Sequence, residues 1–207
     1  MEAGLLSGRI ALRHLVALLE EPSAALVLKA VLPSILPQDV RLQCISFEGK
    51  RDFENNIEMK IRNWRLPDTK FLLMRDRDSE DCHEVKKRLV ATCQNAGRKD
   101  ALVRIACGEL ESFYLGDLKA VAEAFGRKMP SQNLAKFRDP DHLGNAAEEL
   151  GRILSSSEQK LKWARAISPH LALDGSNRSH SFNVLISGVR KLFPSNQPAP
   201  NQTIKQS

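Results

Sequence analysis

The sequence predicts an α/β protein: a mainly parallel sheet flanked by helices, followed by a helical C-terminal extension. Strand-like runs alternate with segments whose apolar residues recur at helical spacing, the order that produces parallel strands joined by right-handed crossovers. The run Phe71-Leu72-Leu73-Met74 is continuously apolar, as a strand buried on both faces must be. Three of the candidate strands also end in carboxylates: Glu20 or Glu21, then Asp76 with Asp78, then Glu109 with Glu111. In open α/β sheets, ligands bind beyond that end of the strands.

Residues 1–9 read as a leader, and an α/β domain is expected over residues 10–128. Ile10 to Leu19 form its first strand. Pro22 suits the first turn of a helix, where its fixed φ helps and its missing N–H costs nothing, and Ala24 to Leu32 continue that helix until Pro33 stops it. Val40 to Phe47 alternates like a half-exposed strand closed by Gly49, and Lys50 to Trp64 follows as a charged amphipathic helix. After the central strand, Cys82, Val85, Leu89, Cys93 and Ala96 lay one stripe along a helix from Asp81 to Asn95, with Gly97 as its stop. Leu102 to Ala106 is the next strand. Three further helical stripes follow: Leu118, Val121, Ala122 and Phe125; Leu143, Ala147, Leu150 and Leu154; Phe182, Leu185, Ile186, Val189 and Phe193. The last two belong to a helical extension over residues 129–193, packed on the sheet domain. The polar, proline-containing stretch over residues 194–207 reads as a disordered tail.

With 42% hydrophobic residues in a chain of 207, a sizeable core is available. The net charge of +6 gives weak support to an acidic partner such as nucleic acid. Cys44, Cys82, Cys93 and Cys107 contain no CxxC pair and no zinc-finger spacing, so free thiols in a reducing cytoplasm are expected. No apolar run is long enough to cross a bilayer, and a membrane is not expected among the partners. No Ser-His-Asp or Cys-His set has motif context. Neither a phosphate-binding G-x-x-x-x-G-K-[ST] loop nor a dinucleotide fingerprint is present, so any use of ATP falls to a partner.

On an extended segment, Asp76 and Asp78 point to one side while Arg75 and Arg77 point to the other. Two crowded carboxylates repel, and a hard divalent cation relieves them. The same acids also suit a loop that caps the helix beginning near Glu80. Glu109 and Glu111 likewise read two ways, as metal ligands or as acids placed at the positive end of the next helix.

The segments LLEEPSA (Leu18 to Ala24), LLMRDRDSEDC (Leu72 to Cys82), IACGELESFYLGD (Ile105 to Asp117), ARAISPHL (Ala164 to Leu171) and NRSHSF (Asn177 to Phe182) resemble a bacterial family of domains of unknown function regarded as Toprim-like. Toprim is the magnesium-binding fold of topoisomerases, DnaG-type primases and overcoming-lysogenisation-defect nucleases, and members of the resembling family are often encoded beside an ABC-type ATPase in defence or mobile islands. The resemblance implies catalytic and metal-binding roles for Glu20, Asp76 and Asp78, with Asp81, Glu109 and Glu111 at further acidic positions of the signature. It also implies Mg2+ or Mn2+ as cofactor, phosphodiester hydrolysis of DNA or RNA, and an ABC-type ATPase subunit as partner. The chain departs from the family at its first segment, where Glu21 replaces the expected glycine and Ala24 replaces a common second acid.

Among the cations, Arg165 and Arg178 are the candidates for a phosphate path, Arg178 because it sits in the polar loop DGSNRSHS within a family-like segment. Arg190 and Lys191 fall in the last turn of a helix, which favours cations without any ligand. Lys86, Lys87 and Arg88 read as a solvated helix face, and Trp64 and Trp163 as packing residues. A metal-dependent nuclease is therefore expected, with a non-catalytic nucleic-acid-binding or regulatory subunit of the same ATPase system as the rival from another class.

Overall fold

The computed structural model describes residues 12–77, 80–157 and 159–194. The leader over residues 1–9, the tail beyond Pro194 and the second acid of the central pair, Asp78, lie outside the described residues. Among the described residues the sheet has four strands: β1 (Arg13–Leu19), β2 (Val40–Ser46), β3 (Thr69–Asp76) and β4 (Leu102–Ala106). All pairings are parallel, in the order β2-β1-β3-β4, with Leu19 level with both Ser46 and Met74. The expected α/β class with a mainly parallel sheet is what the chain forms.

Alternation along the strands divides the interior into two layers. Leu15, Ala17 and Leu19 of β1 and Leu72 and Met74 of β3 face one side, while Val16, Leu18, Phe71 and Leu73 face the other. The second face is covered by α2 (Lys50–Arg62) and α3 (Cys82–Asn95), through Phe53, Ile57 and Ile61 and through Val85, Leu89 and Cys93. Trp64 meets Phe71 edge-on at 5.9 Å and donates its indole N–H to Thr69. It is a packing residue.

The first face carries α1 (Pro22–Val31), which opens on Pro22 and passes into a 3-10 turn at Leu32–Ser34. Beside it pack the later elements: α4 (Ser112–Leu115), α5 (Leu118–Phe125), α6 (Ala135–Arg138), α7 (Ala146–Leu154), α8 (Lys160–Ile167) and α9 (His180–Leu192). Their apolar residues, from Phe113 and Leu150 to Trp163 and Phe182, join one continuous cluster with β1, β3 and α1. Leu143, read as part of a helical stripe, instead ends the 3-10 turn Pro140–His142 before α7 begins. The sequence pattern did not announce α8, whose eight residues bury Trp163, Ala164 and Ile167 against α1 and α5. No helix among the described residues is long and apolar enough to cross a membrane.

Candidate functional site

The chain leaves β1 for β2 on one side and returns past β1 to place β3 on its other side, so β1 and β3 are neighbours whose outgoing connections diverge. Such a reversal of strand order opens a crevice beyond the strand ends. Glu20 follows β1 into it, and Asp76 closes β3. The two meet: Glu20 Oε2 accepts a hydrogen bond from the Asp76 amide at 3.2 Å. Asp76 Oδ2 in turn accepts from the Leu110 amide at 3.3 Å, which ties the end of β3 to the loop after β4.

Arg75 enters the opposite layer, as the two-residue period of a strand requires. It is only 1% exposed, and water does not neutralise it; carboxylates do. Its guanidinium donates to Glu54 of α2 at 2.5 Å and to Glu80 at 3.1 Å, and its Nε donates to the Asp76 carbonyl at 2.8 Å with Glu20 Oε2 3.6 Å away. Arg75 therefore holds Glu20 and the end of β3 from beneath. Glu80, shared with Lys50 and Arg88 as well, has its carboxyl pushed down to about 2 by hydrogen bonds to those cations.

On the crevice side the electrostatics are reversed. Glu111 is fully buried, and neither of its carboxylate oxygens has a hydrogen-bond partner among the described residues. Burial pushes its carboxyl up to about 7, against the pull of Lys160 and with the added repulsion of Glu21 and Glu109. Asp76 is pushed well above the usual carboxylate range, first by burial and then by Glu21, Glu111 and Glu20, again opposed by Lys160. Behind them the Tyr114 hydroxyl is buried, and burial together with the Glu111 charge holds its proton on. Lys160, the first residue of α8, reaches Glu21 Oε2 at 3.6 Å. Nothing in its sequence setting, KLKWARAI, marked it.

The remaining expected residues are placed differently. Glu109 Oε2 accepts the Ala147 amide at 2.6 Å, so its carboxylate serves the first turn of α7 rather than the helix that follows it in the chain. Asp81 is the N-cap of α3, accepting from the amides of His83 and Glu84 at 2.8 and 3.0 Å. Arg165 and Arg178 are exposed. The loop carrying Arg178 is pinned at its backbone: the Arg178 amide donates to the Gly116 carbonyl at 2.8 Å, and buried Asp141 takes the Ser179 hydroxyl at 2.6 Å and the Ser181 amide at 2.7 Å. The NRSHSF segment thus fastens α9 to the loops after β4.

In donor chemistry the crevice suits a hard divalent cation, which takes carboxylate oxygens and whose charge would remove the repulsion among Asp76, Glu111 and Glu21. The orphaned, buried Glu111 carboxylate is the observation that asks for such a partner. Among the described residues no three His, Cys, Asp or Glu side chains converge into a ready-made cage, so ligation by this set requires side chains to turn inward. A family model described as a domain of unknown function (DUF4276) matches residues 19–190. No curated protein and no solved structure matches the chain.

Proposed function

We propose that this chain, which belongs to the DUF4276 family of domains of unknown function, is a magnesium- or manganese-dependent phosphodiester hydrolase of Toprim type acting on DNA or RNA. The observation that carries the reading is the meeting of Glu20 and Asp76 at the switch point of the sheet, beside a buried Glu111 carboxylate without a hydrogen-bond partner. Glu20 and Asp76 would hold the cation, with Asp78, two residues on in the sequence, and Glu111 completing the oxygen set. A bound divalent ion supplies polarisation of the scissile phosphate and a lowered pKa for attacking water. The protein's own part is to fix the oxygens: Arg75 braces Glu20, and the Leu110 amide orients Asp76. Arg165 and Arg178, both exposed, are the proposed contacts to the nucleic-acid backbone.

The sequence carries no nucleotide-binding loop, so the proposed ABC-type ATPase partner would supply any ATP hydrolysis, in a cytoplasmic defence or mobile-element setting. The test is incubation of the purified chain with plasmid, single-stranded DNA and RNA in magnesium, manganese or EDTA. Metal-dependent cleavage that Glu20→Ala and Asp76→Ala each abolish is expected; cleavage that survives either change overturns the assignment. One observation favours a regulatory, non-catalytic subunit as second reading. Glu21, standing where the resembled family has glycine, is already engaged by Ser23 and Lys160. Nucleic-acid binding without cleavage under every metal condition would select it.

A further inference from the structure

Arg104 stands on β4, against α9, half-withdrawn from water and with no carboxylate beside it among the described residues. Arg75 and Arg13, by contrast, are matched with acids, the first with Glu54 and Glu80 and the second with Asp39. Arg104 has carbonyls instead: its Nε donates to Val184 at 3.1 Å and its Nη1 to Val103 at 2.8 Å. Gly188 of α9 makes room for it, since a Cβ there would stand 2.3 Å from Nη2. A glycine inside a helix costs stability, so α9 is weakened to admit this guanidinium. The group is held in place, and the rest of its N–H fork is left over for a ligand.

Arg104 lines a cavity of about 350 Å3 between α3 and α9. His83 and Lys86 line it from the first turns of α3, and His180 and Ser181 from the start of α9. None of the lining residues is an acid. The two acids that fasten these helix ends are engaged elsewhere: Asp81 accepts the His83 and Glu84 amides, and Asp141 takes the Ser179 hydroxyl and the Ser181 amide. A concave wall with a lysine, an arginine and two imidazoles but no carboxylate suits an anion, and a guanidinium fork suits phosphate oxygens above all. Cys107, also on the wall, precedes Glu111 of the carboxylate crevice by four positions, so the two sites lie within about 14 Å of each other along the chain.

We propose that this cavity is a phosphate-binding site, which on a nucleic-acid substrate takes a backbone phosphate flanking the one presented to the crevice. The flanking role rests on the nucleic-acid reading above, whereas the affinity for phosphate does not depend on it. Such a contact fixes where the strand lies and carries no sequence preference.

The experiment uses the full chain in EDTA, as wild type and as Lys86→Gln, Arg104→Gln and Lys87→Gln. Lys87 is exposed beside Lys86 and does not line the cavity, so its variant removes the same charge without touching the site. Lys86 is exposed too, and its variant keeps the fold even where Arg104→Gln loosens α9. One readout is the thermal midpoint in sodium phosphate against sodium chloride of equal ionic strength. Phosphate stabilises folded proteins in general, so the difference between variants is what counts. Wild type and Lys87→Gln should gain alike, and Lys86→Gln and Arg104→Gln should gain less. The other readout is fluorescence anisotropy of labelled single-stranded DNA and RNA across a salt series. Lys86→Gln and Arg104→Gln should each weaken binding roughly tenfold and lower the slope of log K against log salt by about 0.7, the share of one contact on a single strand. A phosphate gain that Lys86→Gln keeps in full overturns the site. Equal losses of nucleic-acid binding in Lys86→Gln and Lys87→Gln overturn the flanking role, because a diffuse positive surface then accounts for the binding. A phosphate gain confined to wild type and Lys87→Gln, with neither nucleic acid bound by the wild type, supports a site for free phosphate and overturns the flanking role together with the nucleic-acid reading.

Discussion

Two carboxylates, Asp76 and Glu111, are held where ionisation costs most, and their neighbours make it cost more. A carboxyl whose folded pKa is raised contributes stability that is fully present below its unfolded value and is lost as the pH rises through the folded one. For Glu111 that window runs from 4.5 to about 7, and the contribution at stake is roughly 3 kcal/mol. In EDTA the thermal midpoint should therefore fall across this window. Glu111→Gln should flatten the fall, leaving the midpoint near wild type at about pH 5 and above it at about pH 8. A wild-type midpoint that climbs over the same range would contradict the burial argument. Glu80 behaves in the opposite sense: its lowered carboxyl contributes stability above its ordinary 4.5, and that contribution is lost as the pH falls through about 2. Beneath both lies Arg75, buried among Glu54, Glu80 and Glu20. Removing one partner of a buried charge network leaves the others uncompensated, so Arg75→Met should cost about 3–5 kcal/mol in a denaturant melt. A change under about 1 kcal/mol would mean that water reaches these acids after the substitution.

At the scale of elements, the sheet was legible because its signals are local. The Phe71–Met74 run is apolar on both faces, and α3 repeats its stripe over four turns, so neither needs a distant partner to be read. That acids follow β1 and β3 was legible for the same reason, since strand ends follow from alternation, whereas the adjacency of the two strands is a long-range fact that the fold supplies. Long-range satisfaction was not legible. Glu109 is spent on an amide 38 residues away, and α8 is too short for its three buried residues to establish a period. Lys160 follows from neither pattern nor motif, because its role depends on where α8 lands. Gly116 is a further case: its φ of −73° suits any residue, yet an added Cβ would overlap Asn177 Oδ1 and stand 2.6 Å from the Ser179 amide. Asn177 is itself engaged, donating to the Phe113 carbonyl at 2.9 Å and accepting from the Ser179 amide at 2.8 Å. Gly116→Ala must push that loop off the end of α4, and a loss of roughly 1–3 kcal/mol is expected from overpacking. A melt indistinguishable from wild type would show that the loop gives way freely.

For the whole molecule, the question is whether the sheet and its first five helices stand without the elements that follow residue 128. On the face bearing α2 and α3 they have a complete layer, closed by Phe53, Ile57, Val85 and Leu89. On the other face α1, α4 and α5 form only part of the layer, and Leu150, Trp163, Ile167, Phe182, Leu185 and Val189 supply much of the rest. Each such side chain contributes about 1.5–3 kcal/mol when buried, so the six together supply roughly 9–18 kcal/mol, as much as the roughly 5–15 kcal/mol by which a domain is usually stable. The later helices also supply polar partners: α7 gives the Ala147 amide to Glu109, and Ser181 at the start of α9 accepts the Cys107 amide at 3.1 Å. Truncation after Lys128 removes both layers of support at once, exposing the apolar side of β1 and β3 and leaving the loop with Glu111 unanchored. A fragment of residues 1–128 should show no cooperative thermal transition by circular dichroism, whereas the full chain should melt in a single step. A sharp transition in the fragment would place the stability of the sheet, and of the crevice at its edge, within the first four strands and their own helices.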